Sequence, residues 1–221
     1  MSGVHDNIFH KSIISRVEKL TNEAFLIAFK RSFPFLPGQV IALALSPDDN
    51  PRYYSIASGN DEDEIEILFN IKPEGFLTPR LAQLKTGDPI YHSLPGGCFL
   101  AAPQAGVWIA AGTGIAPFRS MLLSGVTPAL QMIHGSRTKE ELYYHDFFFS
   151  IFKENYFPCC SREQIDGIFQ GRVTQCIDQR ENINPDLLYY LCGSAEMVVD
   201  TREILLKKGV PYGNILAEIY F

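Results

Sequence analysis

Two stretches of the chain carry residue types able to do chemistry at a useful spacing. In Arg52-Tyr53-Tyr54-Ser55 a permanent cation, two rings and a hydroxyl occupy four consecutive positions. On a strand, Arg52 and Tyr54 share one face and Tyr53 takes the other. A guanidinium beside a ring can hold a phosphate while a planar ligand lies on the tyrosine. An exposed cross-strand Arg and Tyr pair is the alternative. In WIAAGTGIAPFRSML an apolar strand ends at a glycine-rich turn, Gly112-Thr113-Gly114, and Pro117 falls in the first turn of the helix that follows. Glycines let a backbone approach a phosphate closely, and the helix start offers unpaired N–H groups, so a pyrophosphate would fit. The pattern is G-x-G-x-x-P, which departs from the Rossmann G-x-G-x-x-G at its last position and lacks the Gly-Lys-Ser/Thr of a P-loop. Taken alone it also suits a plain strand-to-helix turn.

The elements that must position these residues differ between the two parts of the chain. Up to about residue 100, KSIISRVEKL, EAFLIAFK, QVIALAL, RYYSIAS and EIEILFNIK read as short strands separated by PFLPG, SPDDNP and GNDEDE, the texture of an antiparallel barrel or sandwich. One helix interrupts them, with Thr78 as N-cap, Pro79 at the first helical position and Gly87 just past the end. Beyond about residue 104, strands and helices alternate. GVWIAAG, ALQMIHG, LYYLCG and NILAEIYF are strands, and IAPFRSMLLSG, KEELYYHDFFFSIFKENY and SAEMVVDTREILLKKG are helices. That alternation predicts a parallel sheet covered on both faces. The expected domains are residues 1–102 and 103–221.

At 221 residues with 46% hydrophobic and 20% charged side chains, the composition is that of a soluble globular protein. No apolar run has the length of a membrane helix and the first residues do not form a secretory signal, so a cytoplasmic location is expected. Five cysteines without C-x-x-C or metal-ligand spacing point to a reducing compartment. A net charge of -6 disfavours nucleic acid as a partner. Asp61 to Glu64 reads as a solvated turn, His134 and His145 lack ligand spacing, and no metal is expected. The aromatics of EELYYHDFFFSIF read as core, and Cys159 and Cys160 receive no chemistry.

In their order, PFLPGQVIALAL, RYYSIAS, EGFLTPRLAQLKTGD, PGGCFL, AGTGIAPF, SREQ with GRV, LCGSAEMV and the terminal AEIYF resemble the ferredoxin-NADP reductase superfamily, above all its bacterial FAD-containing ferredoxin/flavodoxin-NADP reductases. The resemblance covers nearly the whole chain. It implies a flavin-binding antiparallel β-barrel followed by an α/β nucleotide-binding domain. It also implies an enzyme that moves hydride between NADPH and FAD and single electrons between FAD and a ferredoxin or flavodoxin. Arg52 would neutralise flavin phosphate, Tyr54 would lie against the isoalloxazine, Ser55 would bond near its N5, and Tyr53 would mainly pack. Gly75-Phe76-Leu77-Thr78 matches the family's second flavin motif, at the FAD pyrophosphate. Gly112, Thr113, Gly114 and Pro117 match the NADP pyrophosphate loop. Ser161, Arg162 and Arg172 match positions that bind the 2′-phosphate, with Arg137 added to them. NAD enzymes typically place a carboxylate on the ribose instead, so NADPH is expected.

Cys192 corresponds to a cysteine beside the nicotinamide, and Glu218 to a C-terminal glutamate that handles protons with the flavin-motif serine. Tyr220 and Phe221 form an aromatic terminus, one ring of which covers the flavin. Without the resemblance, Cys192 reads as a small core residue, Glu218 as solvated, the terminal pair as an edge strand and the arginines as surface residues. The chain is expected to act as a monomer. A free-flavin reductase, the reductase component of an oxygenase, and a non-catalytic electron-transfer subunit of a larger complex are the rival readings.

Overall fold

The computed structural model of the protein describes residues 9–126 and 129–220. They form two compact units. The first runs to Leu100 and takes in Arg119–Gly125, and the second comprises Ala101–Phe118 and the chain from Val126 on.

The first unit contains β1 (His10–Lys19), β2 (Ala24–Lys30), β3 (Val40–Ala44), β4 (Arg52–Ser55), β5 (Glu64–Asn70), α1 (Thr78–Leu81) and β6 (Pro89–His92). The six strands form one antiparallel sheet in the order β4-β3-β6-β1-β2-β5. Its two end strands meet through a bridge between Ile56 and Ile67, where the Ala57 N–H donates to the Glu66 carbonyl at 2.8 Å. The sheet curls because β1 changes partner along its length. His10–Ile13 pairs with β6, Arg16–Lys19 pairs with β2, and an irregularity in register separates Ile14 from Arg16, as a bulge does at a sheet corner. Ile14, Phe29, Ile41, Ile56, Ile67 and Leu81 fill the interior.

One buried carboxylate shapes this unit. Arg16 lies opposite Ala28 on β2, and Ala28 lies opposite Glu66 on β5. The small alanine lets the Arg16 guanidinium reach across a strand to the Glu66 carboxylate. Arg119 donates to the other Glu66 oxygen at 2.6 Å and to the Ala57 carbonyl at 2.7 Å. A carboxylate this enclosed is stable only when its lone pairs are matched.

The second unit contains β7 (Gly106–Ala111), α2 (Ala116–Leu123), β8 (Ala129–Ser136), α3 (His145–Phe152), β9 (Tyr156–Cys160), β10 (Phe169–Gln170), α4 (Val173–Asp178), β11 (Leu188–Ser194), α5 (Ala195–Lys207) and β12 (Ile215–Tyr220). From Arg119 on, α2 groups with the first unit. The strands are parallel, in the order β10-β9-β8-β7-β11-β12. They are apolar along most of their length because both faces are covered. Val107, Ile109, Tyr189 and Leu191 lie in a core closed by α4 and α5, to which Cys159 also contributes.

Two expected helices differ from the sequence reading. Thr78 is the first residue of a four-residue helix rather than its cap; Leu77 precedes it, and the Thr78 hydroxyl accepts from the Lys72 N–H at 2.8 Å. That helix ends at Leu81, with Ala82 as its C-cap, well before Gly87. The long aromatic helix expected after β8 is reduced to His145–Phe152, with a separate 3-10 turn at Lys139–Glu141. Tyr144 at φ 60° and Lys153 at φ 49° interrupt it on either side. The aromatic spacing is still a packing signal, because Phe148 and Phe152 are buried while Phe149 faces solvent.

His134 on β8 is fully buried, with Nδ1 2.8 Å from the Tyr156 hydroxyl. Burial, with a minor contribution from His145, lowers its pKa to about 3. The unfolded chain binds a proton near pH 6.5 that the folded chain refuses, so stability is full above that pH and falls as the pH drops toward 3. His134→Gln is expected to flatten this acid limb when melting temperature is measured against pH; an unchanged limb would remove His134 as its cause. Glu66→Ala removes the carboxylate that Arg16 and Arg119 share, leaving Arg16 only its more exposed partners Glu18 and Glu64, and is expected to cost about 3 kcal/mol in urea unfolding.

Candidate functional site

The sequence-predicted residues of the second unit fall along one edge of its sheet. In a parallel sheet all strands end on the same side. Gly112 follows β7, Arg137 follows β8, Ser161 and Arg162 follow β9, and Arg172 lies two residues beyond β10. Cys192 stands near the end of β11, while Glu218 and Tyr220 end β12. The chain steps outward from β7 through β8, β9 and β10, then returns to the other flank of β7 with β11. The strand order reverses between β7 and β11, and open α/β sheets bind ligands outside the carboxyl ends of the strands at such a reversal.

The glycine turn sits at that reversal. Gly112–Ile115 forms a 3-10 turn that runs directly into α2, whose second residue is Pro117. Gly112 has φ 56° and open space where a β-carbon would point, whereas a β-carbon on Gly114 would lie 2.3 Å from the Cys192 carbonyl oxygen. Glycine at 112 thus serves conformation, and glycine at 114 serves close approach of two backbones.

On the β10 side, backbone hydrogen bonds hold the cationic residues together. The Arg162 N–H donates to the Arg137 carbonyl at 2.9 Å, the Ser161 N–H to the Ser136 carbonyl at 3.1 Å, and the Gly171 N–H to the Cys160 carbonyl at 2.8 Å. Arg137, Ser161, Arg162 and Arg172 are all exposed. Three fixed positive charges and a hydroxyl suit a phosphate monoester. Carboxylates are interleaved with them. The Arg137 N–H donates to Glu141, the Lys139 N–H to Glu163, and the Arg172 guanidinium to Glu196 at 2.5 Å. Glu196, in the first turn of α5, is not apparent in the sequence as a member of this group. Its one sequence signal is an acidic residue just inside a helix capped by Ser194.

On the β12 side, Cys192 pairs in register with Ala110 and with Glu218. It has no solvent exposure. Burial chiefly, and the Glu218 charge in addition, raise its thiol pKa well above the usual range, against a hydrogen bond from Tyr220. Cys192 is therefore a neutral thiol at physiological pH and no nucleophile. Phe221 lies outside the described residues.

In the first unit, burial increases along β4. Arg52 is exposed and donates to the Pro51 carbonyl at 2.9 Å, Tyr54 is half-buried, and Ser55 is buried. Tyr54 sets its ring edge against Phe69 at 6.3 Å, and desolvation pushes its hydroxyl up to about 12. Tyr53, expected mainly to pack, is 64% exposed instead. The reason is alternation. Tyr54 and Ile56 share the face that enters the core, so Tyr53 points outward. In the second glycine motif Leu77 and Thr78 are buried, and Phe76 is exposed beneath the Arg80 guanidinium at 3.9 Å. Arg80 is a cation at this loop that the motif does not name, although its four-residue separation from Phe76 carries the signal. The acidic turn at Asp61–Asp63 is exposed, and the described residues include no group of three or more side chains able to hold a metal.

Comparison with known proteins identifies the family. A family model described as an oxidoreductase NAD-binding domain matches residues 108–203. The chain is 32% identical over 215 residues to a ferredoxin–NADP reductase of Pseudomonas aeruginosa, covering 83% of each. It is 33% identical to a ferredoxin–NADP reductase of Azotobacter vinelandii, over 79% of each. It is also 27% identical to the toluate 1,2-dioxygenase electron transfer component of Pseudomonas putida, covering 95% of this chain and 67% of that one. In fold it matches a ferredoxin NADP+ reductase from Neisseria gonorrhoeae solved with bound FAD and NADP, with TM-score 0.87, 23% identity, and coverage of 96% of this chain and 99% of that one.

The glycine turn supplies its own test. Gly114→Ala drives a methyl group into the Cys192 carbonyl and is expected to destabilise the protein by about 3 kcal/mol. Gly112→Ala, strained only in φ, is expected to cost about 1 kcal/mol. Melting temperatures of the two variants, measured side by side, should reproduce that order; equal effects would contradict the close-approach argument.

Proposed function

Because the chain belongs to the ferredoxin–NADP reductase family, we propose that it is a flavoenzyme transferring hydride between NADPH and bound FAD, and single electrons between FAD and a ferredoxin or flavodoxin. The observation that carries the NADPH assignment is the clustering of Arg137, Ser161, Arg162 and Arg172 on the sheet edge that also presents the glycine turn. FAD would be held by residues 1–102 and the dinucleotide by residues 103–221.

The residues present fit both groups. Gly112-Thr113-Gly114 and the start of α2 would offer backbone to a pyrophosphate, with open space beside Gly112. The arginine cluster would neutralise a 2′-phosphate, a task guanidinium performs bidentately. Arg52 would neutralise a flavin phosphate from its exposed position, with Gly75–Thr78 as a second phosphate contact. Tyr54 keeps its hydroxyl protonated at any physiological pH, so it can donate a hydrogen bond while its ring stays anchored. Ser55 offers a hydroxyl fixed by burial, to bond near the flavin N5.

FAD, once bound, supplies the conversion between two-electron hydride chemistry and one-electron transfer. The part of the protein is to align and exclude. Cys192, neutral and buried, would stand beside the nicotinamide as a small residue without charge. Glu218 beside it would hold or release a proton. One ring of the terminal pair, Tyr220 or Phe221, would cover the flavin until the nicotinamide displaces it.

Similarity to a dioxygenase electron transfer component favours a second reading, the reductase component of an oxygenase. The two part company over the electron acceptor. No helix among the described residues is long and apolar enough to cross a membrane.

An anaerobic titration of the visible spectrum tests the proposal. The purified protein, supplied with FAD, is expected to show a bound-flavin spectrum that NADPH bleaches at concentrations well below those needed with NADH. A protein that binds no flavin, or whose flavin neither nucleotide reduces, would refute it. A preference for NADH would refute the arginine assignment alone.

A further inference from the structure

The Arg172–Glu196 ion pair is an odd neighbour for an anion site. Arg172 immediately precedes α4, and its backbone N–H donates to Gln175 Oε1 at 2.8 Å, so the residue is fixed at its base. Its guanidinium nevertheless reaches across to Glu196, 24 residues on and in the first turn of another helix. Both side chains are largely exposed, 64% and 67%. Packing does not demand this pair, and its location on the strand-end edge places a carboxylate among the cations.

We propose that Glu196 is a specificity-determining residue: it occupies the Arg172 guanidinium when no dinucleotide is bound, and so sets the ratio of NADPH to NADH use. This rests on the reading above that Arg172 belongs to the 2′-phosphate site. The 2′-phosphate must displace the carboxylate and then sit beside its negative charge, and both effects weaken NADPH. NADH brings a ribose hydroxyl instead, which a carboxylate can accept, as acidic residues do in NAD-binding sites. An exposed ion pair is worth up to about fivefold in an equilibrium constant. Glu196 therefore tempers the preference for NADPH without reversing it.

The experiment is a calorimetric titration of the full-length protein with adenosine 2′,5′-bisphosphate, which carries the 2′-phosphate without the nicotinamide. Wild type, Glu196→Gln, Arg172→Gln and the double variant are compared, and kcat/KM is measured for NADPH and NADH on the same four proteins. Glu196→Gln is expected to bind the bisphosphate about two- to fivefold more tightly and to raise the NADPH-to-NADH ratio of kcat/KM by a similar factor. Both gains are expected to vanish when Arg172 is absent. Equal affinity of wild type and Glu196→Gln, beside a weakened Arg172→Gln, would overturn this proposal and leave the anion site standing. A gain that persists without Arg172 would also overturn it. Wild-type affinity in Arg172→Gln would remove the anion-site reading and this proposal with it.

Discussion

The second unit is organised around a contact that admits no side chain. Gly114 lies so close to the backbone at Cys192 that a β-carbon would stand 2.3 Å from a carbonyl oxygen. The turn leaving β7 therefore lies on the end of β11, where the strand order reverses. Everything chemically notable in this unit is arranged outward from that point. To one side come Arg137, Ser161, Arg162 and Arg172, spaced by the strands they follow. To the other come Cys192 and, one strand further, Glu218 and Tyr220. Parallel strands set this arrangement, because they deliver successive chain segments to the same edge.

The first unit solves a different problem. An antiparallel sheet that curls until its ends meet must turn a corner, and β1 does so by exchanging partners at its irregularity. The same strand then supplies Arg16, whose side chain crosses Ala28 to reach Glu66. Glu66 also takes Arg119 from α2. A carboxylate shared by two guanidinium groups is weak evidence of net stability, since desolvation offsets most of the attraction. What it does fix is register. Slipping β5 by one residue would turn Glu66 to the opposite face and separate it from both guanidinium groups.

How much of this the sequence discloses depends on the range of the interaction. The strand texture up to residue 100 and the strand-helix alternation after it rest on local periodicity, and both correspond to the sheets observed. The glycine turn and Pro117 are equally local. Thr78 illustrates a limit, since Ser and Thr suit both a cap and a loop hydrogen bond, and only the position of Lys72 decides between them. The aromatic segment after β8 illustrates another, because its spacing reports burial accurately but not the left-handed residue at Tyr144 that shortens the helix. Tyr53 and Tyr54 could be ordered by alternation, yet which face enters the core depends on the pairing with β3. Glu66 with Arg16 and Arg119, and Glu196 with Arg172, are separated too far along the chain for any spacing rule to find.

The charge balance of the chain bears on what its cation cluster can do. With a net charge of -6, the protein does not attract anions as a whole, so a phosphate responds to charges within a screening length of about 8 Å. At that range Arg137, Arg162 and Arg172 are not alone. Glu141 accepts the Arg137 N–H, Glu163 accepts the Lys139 N–H, and Glu196 accepts the Arg172 guanidinium. The favourable energy of a bound phosphate is then a difference between cations gained and carboxylates displaced or repelled. Such an edge discriminates through geometry more than through total charge. Under the proposed reading, a monoester would gain these cations only where the guanidinium groups turn toward it, while an anion elsewhere on the same edge would meet carboxylates.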